Sequence, residues 1–85
     1  MNAAATRMVR VQYFALLREE AGVSEEELHT SAATMAELYD ELSARHGFGL
    51  PRARLKVVVN EEFDQWSRPV REGDVVVFIP PVAGG

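Results

Sequence analysis

The residues best suited to covalent chemistry stand at the end of the sequence. After an apolar run over residues 75–79, the chain closes with Pro80-Pro81-Val82-Ala83-Gly84-Gly85. Two consecutive prolines cannot donate hydrogen bonds to a sheet, so a strand must end there. The side chains then shrink to two glycines, which are costly to order. We interpret this end as a slender carboxyl terminus that enters another protein's narrow active site. The alternative, a frayed terminus, is disfavoured by the rigid Pro-Pro pair and by the strand before it.

The rest of the chain offers little other chemistry. There is no cysteine, which excludes disulfides, thiol nucleophiles and thiolate metal sites. His29 and His46 lack partners at metal-ligand spacing, so we predict no metal site and interpret each as a surface histidine. Neither a glycine-rich phosphate loop nor a nucleophile–base pair occurs. If the chain carries sulfur, the terminal carboxyl of Gly85 is the one evident covalent site. We predict no bound cofactor. A carboxylate is a poor electrophile, so Gly85 could accept sulfur only after activation, and adenylation by ATP that a partner enzyme consumes would supply it.

Length and charge limit the classes of partner. The 85 residues make one small domain, and the 47% hydrophobic content is ordinary for a globular chain. The net charge of −4, with acids at residues 25–27 and 61–62, argues against nucleic acid and membrane as partners and favours a basic protein. No apolar stretch approaches the roughly 20 residues of a membrane span, and no signal-peptide pattern opens the chain. The expected location is therefore cytoplasmic.

Alternating and helical patterns predict the elements that hold this end in place. Residues 9–13 alternate as a strand, and residues 15–21 form a short helix that Gly22 closes. Residues 23–30 indicate an edge strand whose glutamates face water. A helix over residues 34–46 begins with the capping box of Thr34 and Glu37 and shows an apolar stripe.

The second half adds two strands. Residues 55–60 are predicted to form a central strand. Residues 75–79 are predicted to form the last strand, after a turn in which Gly73 supplies a positive φ. This order predicts an α+β fold, with the first and last strands adjacent in the middle of a mixed, four- to five-stranded sheet and one main helix on one face. The predicted divisions are a flexible lead-in (1–6), the domain (7–80) and a flexible C-terminal tail (81–85).

One helix cannot cover both faces of such a sheet. The last strand is apolar on both sides, with Val76 and Phe78 on one face and Val75, Val77 and Ile79 on the other. An uncovered apolar face beside the tail is typical of a partner surface, unless residues 61–70 fold back over it. The predicted partner-binding residues are Phe14, Phe63, Val75, Val77, Ile79, Pro80, Pro81, Val82 and Ala83.

Three segments resemble the MoaD family, the small subunits of molybdopterin synthase, which are related to ThiS. They are Val-Gln-Tyr-Phe-Ala-Leu-Leu-Arg-Glu at 11–19, Val-Asn at 59–60, and Gly-Asp-Val-Val-Val-Phe-Ile-Pro-Pro-Val-Ala-Gly-Gly at 73–85. Two departures lie away from the tail: the six-residue extension before Arg7, and Val75 where many relatives carry a charge.

The resemblance implies a ubiquitin-like β-grasp fold and a sulfur-carrier role. A MoeB-like enzyme would adenylate Gly85 with ATP, and a thiocarboxylate would follow. The tail, with Gly84, would then enter the active site of a MoaE-like large subunit, where two thiocarboxylate equivalents would build the dithiolene of molybdopterin from cyclic pyranopterin monophosphate. The chain would supply sulfur and no catalytic side chain.

Three other functions stay open from the sequence. The chain could serve as a sulfur carrier for thiamine or cysteine synthesis, because the fold, tail and activation would be shared. It could be a protein modifier conjugated through Gly85, although its single lysine, Lys56, makes chains of this protein improbable. It could also be a plain interaction domain whose tail has no role.

Overall fold

Five strands and two α-helices make up residues 5–81, the part of the chain that the computed structural model describes. The strands are β1 (Arg7–Tyr13), β2 (Glu25–Thr30), β3 (Lys56–Val59), β4 (Glu62–Asp64) and β5 (Val75–Ile79). The helices are α1 (Ala15–Ala21) and α2 (Met35–His46), with a 3-10 turn at Arg52–Arg54. Most of the predicted lead-in and tail lies outside the described residues.

The strands form one mixed sheet in the order β2-β1-β5-β3-β4. β1 and β5 run parallel to each other, and the other neighbouring strands are antiparallel. The prediction that the first and last strands lie side by side in the middle is therefore confirmed. With α2 on one face, this is the β-grasp arrangement that the resemblance implied.

Both helices end at the glycines that the sequence predicted as their C-terminal caps. Gly22 and Gly47 have φ of 79° and 75°, and their N–H groups donate to carbonyls of the last turn. At the start of α2, Thr34 Oγ1 accepts from Glu37 N–H at 3.3 Å, as expected. The return bond differs from the predicted capping box, because Glu37 Oε1 accepts from Ala33 N–H at 2.9 Å, one residue earlier.

The core lies between the sheet and α2. It contains the inward residues of the three central strands and the stripe Met35, Leu38, Tyr39 and Leu42. Trp66 joins it from the segment after β4: its ring stacks on Phe78 with centroids 5.7 Å apart. Because Phe78 faces α2, this segment packs on the covered side of the sheet. The alternative in which residues 61–70 cover the opposite face is therefore wrong.

The start of β5 is held by one buried carboxylate. Asp74 accepts from Arg71 N–H at 2.8 Å, from Arg68 Nη1 at 3.0 Å and from Asn60 Nδ2 at 3.0 Å. Its turn contains Gly73 with φ of 85°, as predicted. These bonds tie the segment after β4 to the sheet, so that β5 enters the sheet in one register.

Two predictions about polar side chains are wrong. Glu26 does not face water, and His46 is not a surface histidine. Tyr13 donates its hydroxyl hydrogen to the Glu26 carboxylate, and His46 Nε2 lies 2.7 Å from Glu26 Oε2. The physical reason is the period of β2, which places Glu26 on the same inward face as Leu28 and Thr30.

This network predicts an acid-sensitive contribution to stability. Burial raises the pKa of Glu26, but hydrogen bonds from Tyr13 and His46 outweigh burial and hold that pKa below its ordinary value of 4.5. The native state therefore favours the carboxylate, so its contribution is present above the pKa of the unfolded chain and is lost as pH falls through the lower, folded pKa. Glu26→Gln should lower the free energy of unfolding at pH 7 by about 1–3 kcal/mol and flatten its decline between pH 5 and 3.

Denaturant unfolding at stepped pH measures this effect. Glu27→Gln is the matched control, because Glu27 is the next residue along β2 and pairs with Arg10 on the surface. Exposed ion pairs contribute little, so this control should change stability by less than about 1 kcal/mol. If the free energy of unfolding of the Glu26→Gln protein declines between pH 5 and 3 as steeply as that of the wild type, the Glu26 carboxylate does not cause this decline.

Candidate functional site: the tail root and the open face

The tail begins at the centre of the sheet. β5 lies between β1 and β3 and ends at Ile79, after which Pro80 is buried and Pro81 is exposed. Pro80 thus anchors the exit of the chain, while Pro81 presents its ring. Val82, Ala83, Gly84 and Gly85 lie outside the described residues, so their roles stay predictions. The chain after Pro81 therefore starts from a fixed point at the end of β5, between β1 and β3.

A row of apolar side chains crosses the sheet face opposite α2. Val58 of β3 pairs with Val77 of β5 on one side and with Phe63 of β4 on the other. Cross-strand partners point to the same face of a sheet. The row therefore runs from the exposed Phe63 through Val58 and Val77, and Gln12 of β1 continues it.

Neighbouring rows enlarge this surface and give it a polar border. Val75 pairs with Arg10, and Ile79 pairs with Lys56. We call the five apolar residues the open face: Val58, Phe63, Val75, Val77 and Ile79. Phe63 is 72% exposed and the four others are partly exposed. An apolar centre with a charged rim is the usual anatomy of a protein–protein interface.

Sequence reasoning missed Val58. The signal was present, because Val57 and Val59 are buried and alternation places the residue between them on the other face. The near-continuous apolar run was interpreted only as a sign of a central strand, and its alternation was not used. Four of the predicted partner-binding residues, Phe63, Val75, Val77 and Ile79, do meet on the open face.

Phe14, another predicted partner-binding residue, is exposed but does not belong to a strand. β1 ends at Tyr13, and Phe14 is the N-cap of α1, where it is exposed. The next residue, Ala15, has a φ of 53°, in the region that disfavours residues with a Cβ. This sharp bend turns the chain out of β1, so Phe14 lies at the tail end of the sheet and outside the cross-strand rows.

We call Pro80 and Pro81 the tail root, and two grooves flank it, one on each side. The β3-side groove is lined by Ala53, Arg54, Leu55, Lys56, Phe63 and Ile79 in addition to the prolines. The α1-side groove is lined by Ala15, Leu16, Glu19 and Leu50 in addition to the prolines. The first groove shares Phe63 and Ile79 with the open face. The prolines therefore form a ridge that connects the open face to a second surface on α1.

The described residues supply binding surfaces and no metal site. Within residues 5–81, no group of three or more His, Asp or Glu side chains is placed to hold a metal ion. The helices in the same range are too short and polar to cross a membrane.

These features define a class of protein: small ubiquitin-like domains whose central last strand ends beside an apolar sheet face. The comparison with known families then identifies the chain. It belongs to the ThiS family, whose model matches residues 11–85. It is 32% identical over 81 residues to the molybdopterin synthase sulfur carrier subunit of Escherichia coli, which covers 92% of this chain and 100% of that protein.

Solved structures show two settings for similar chains. One is the complex of subunits 1 and 2 of the molybdopterin-converting factor from Helicobacter pylori, with 28% identity, a TM-score of 0.61 and coverage of 92% of this chain and 99% of that one. Another is SAMP1, a small archaeal modifier protein from Haloferax volcanii, with 26% identity, a TM-score of 0.77 and coverage of 92% and 99%.

Proposed function

We propose that this protein is the sulfur-carrier subunit of a molybdopterin synthase. The observation that carries the proposal is the similarity over nearly its whole length to the Escherichia coli sulfur carrier subunit, in a chain whose last strand leads directly to Pro-Pro-Val-Ala-Gly-Gly. The geometry supports it. The tail root is fixed by a central strand and a buried proline, and an apolar docking surface lies beside it.

The chemistry takes place at the Gly85 carboxylate. A carboxylate is a poor electrophile, so one of its oxygens first attacks the α-phosphate of ATP on a partner enzyme, which releases pyrophosphate and leaves an acyl-adenylate. A sulfide-level sulfur nucleophile then displaces AMP and leaves the thiocarboxylate. In the large subunit, sulfur passes to the pterin precursor, and a carboxylate is regenerated by water. The two glycines place no side chain in the way of either active site.

Two partners follow from this chemistry. A MoeB-like enzyme would adenylate Gly85, and a MoaE-like large subunit would accept the sulfur. The Helicobacter pylori complex, in which a chain similar to this one is bound to a second subunit, supports a protein partner of the second kind. We assign the docking contact to the open face and Pro81, because apolar surface is contiguous there with the start of the tail.

Intact-mass analysis tests the proposal directly. The protein is co-expressed with a MoeB-like enzyme and its sulfur donor, and is then mixed with a MoaE-like subunit and the pterin precursor. We expect one oxygen of the C-terminal carboxyl to be replaced by sulfur, and this modification to disappear as the dithiolene product forms. Unmodified carboxylate after co-expression would contradict the carrier role. A stable thiocarboxylate that the large subunit cannot consume would indicate another sulfur pathway, such as thiamine or cysteine synthesis.

A second candidate function is protein modification through Gly85. The similarity to SAMP1 favours it, because both chains share the fold nearly end to end. The same co-expression separates the two functions. A modifier would appear in isopeptide bonds between Gly85 and lysines of other proteins, whereas a carrier would appear as the free thiocarboxylate. Chains of this protein would need Lys56, which is exposed in β3 beside the open face.

A further inference from the structure

We propose that the α1-side groove is a second docking site for the large subunit. An apolar side chain of the large subunit binds in this groove, and a neighbouring basic group of the large subunit lies at its edge. The inference rests on the proposed function and deepens it. It adds to the open face a contact on the opposite flank of Pro80 and Pro81, built from α1 and the loop before the 3-10 turn.

The groove is apolar and accessible. Leu16 forms one wall and is 43% exposed. Leu50 forms the opposite wall and packs partly against the core, and the two prolines close the third side. The volume is about 370 Å³, which is sufficient for one large apolar side chain. Glu19 contributes the one charged side chain that lines the groove.

Both walls are held in place before any partner arrives. On the α1 side, Leu17 is fully buried and anchors the helix. Glu20 Oε1 accepts from Gly49 N–H at 3.3 Å, which ties α1 to the opposite loop. Tyr39 donates its hydroxyl hydrogen to the Leu50 carbonyl at 2.5 Å. A preformed groove loses little conformational entropy on binding, which favours it as a contact site.

The short spacing between Pro81 and Gly85 favours a contact between the partner and this region. Gly85 is the fourth residue after Pro81, and a fully extended chain covers at most about 3.6 Å per residue, so Gly85 can reach no more than about 14 Å from Pro81. An α-helix with its side chains is about 10–12 Å wide. An enzyme that encloses Gly85 therefore has room for about one layer of structure between its active site and the tail root. The rim of its channel then lies close to Pro81, and we expect it to contact the flank that faces α1 as well as the open face.

Charge indicates the chemistry of the contacting rim. Glu19 is exposed on α1 and lines the groove, and the chain as a whole carries a net charge of −4. A Lys or Arg next to an apolar side chain on the partner would pair with Glu19 at the edge of the groove, where the ion pair need not be fully desolvated. The expected partner surface is therefore apolar with a basic border.

The test compares two exposed apolar residues, Leu16 in the first turn of α1 and Val23 just after the end of that helix. Leu16→Asp places a charge in the groove. Val23→Asp makes the same kind of change at a residue that is equally exposed, at 44%, but does not line the groove. Both variants and the wild type are first converted to the thiocarboxylate, as verified by intact mass. Binding to the large subunit is then measured by calorimetry, and sulfur transfer is measured in a single turnover.

We expect Leu16→Asp to raise the Kd by about tenfold or more and Val23→Asp to change it by less than about twofold. Glu19→Arg should also raise the Kd, and more strongly at low salt than at high salt. Wild-type affinity in Leu16→Asp, or an equal loss in Val23→Asp, would overturn the inference while leaving the proposed function intact. A wild-type protein that forms no thiocarboxylate would overturn the proposed function, and the inference with it.

Discussion

Deletion of Gly84 and Gly85 should abolish sulfur transfer without changing the stability of the domain. The reacting carboxyl would move back to Ala83, so it would fall short of the active site by two residues, about 7 Å of extended chain. We expect no detectable thiocarboxylate and no dithiolene product. The unfolding temperature should stay within about 1 °C, because the described core is formed by residues between Val9 and Phe78 and a glycine has no side chain to pack against it. The measurements are intact mass, product formation and thermal unfolding.

Two further variants separate the length of the tail from its width. Deletion of residues 1–4 is the matched truncation at the other end of the chain and should leave sulfur transfer unchanged. Gly84→Val keeps the length but adds a β-branched side chain next to the reacting carbonyl, which a narrow channel would exclude. Normal activity in the Gly84→Val protein would show that no such channel surrounds this residue. Normal activity in the deletion protein would exclude the terminal carboxyl as the sulfur site.

Phe63→Asp should weaken binding to the large subunit, and this is the second largest effect that we expect. Phe63 is the most exposed large apolar residue among those described, at 72%, and lies at the end of the row formed with Val58 and Val77. Aromatic anchors of this kind commonly cost about 2 kcal/mol or more when they are lost, which corresponds to roughly a 30-fold rise in Kd. The fold should be unaffected, because the side chain is mostly in water before the partner binds. Calorimetry and denaturant unfolding test the two statements separately.

The conservative variant is the control for this prediction. Phe63→Leu keeps an apolar side chain on the open face and should retain most of the affinity, whereas Ile79→Asp should resemble Phe63→Asp because Ile79 belongs to the same surface. Unchanged binding in Phe63→Asp would exclude β4 from the interface. Unfolding of the Ile79→Asp protein would show that this side chain contributes to the core instead.

The sequence alone determined most of the local elements of this protein, although it did not predict the short strand β4. We could predict the bounds of α1, the start and end of α2, and the apolar character of both faces of β5. These features depend on helix caps, positive-φ glycines and side-chain alternation, which involve residues close to each other in sequence. The placement of Val75, Val77 and Ile79 on one face was correct for the same reason. The Pro-Pro-Val-Ala-Gly-Gly sequence also predicted the Gly85 carboxyl as the site of covalent chemistry, independently of the fold.

Only the tertiary structure decided which distant residues meet. Phe63 joins Val58 and Val77 because of the register between β4, β3 and β5, which no local pattern encodes. Glu26 meets Tyr13 and His46 across three elements, so its partial burial could not be inferred from a run of three glutamates. The α1-side groove exists because Leu16 and Leu50, far apart in sequence, both lie beside the exit of β5. Such contacts follow from the packing of the whole chain, whereas local periodicity reports only which face of its own element a residue occupies.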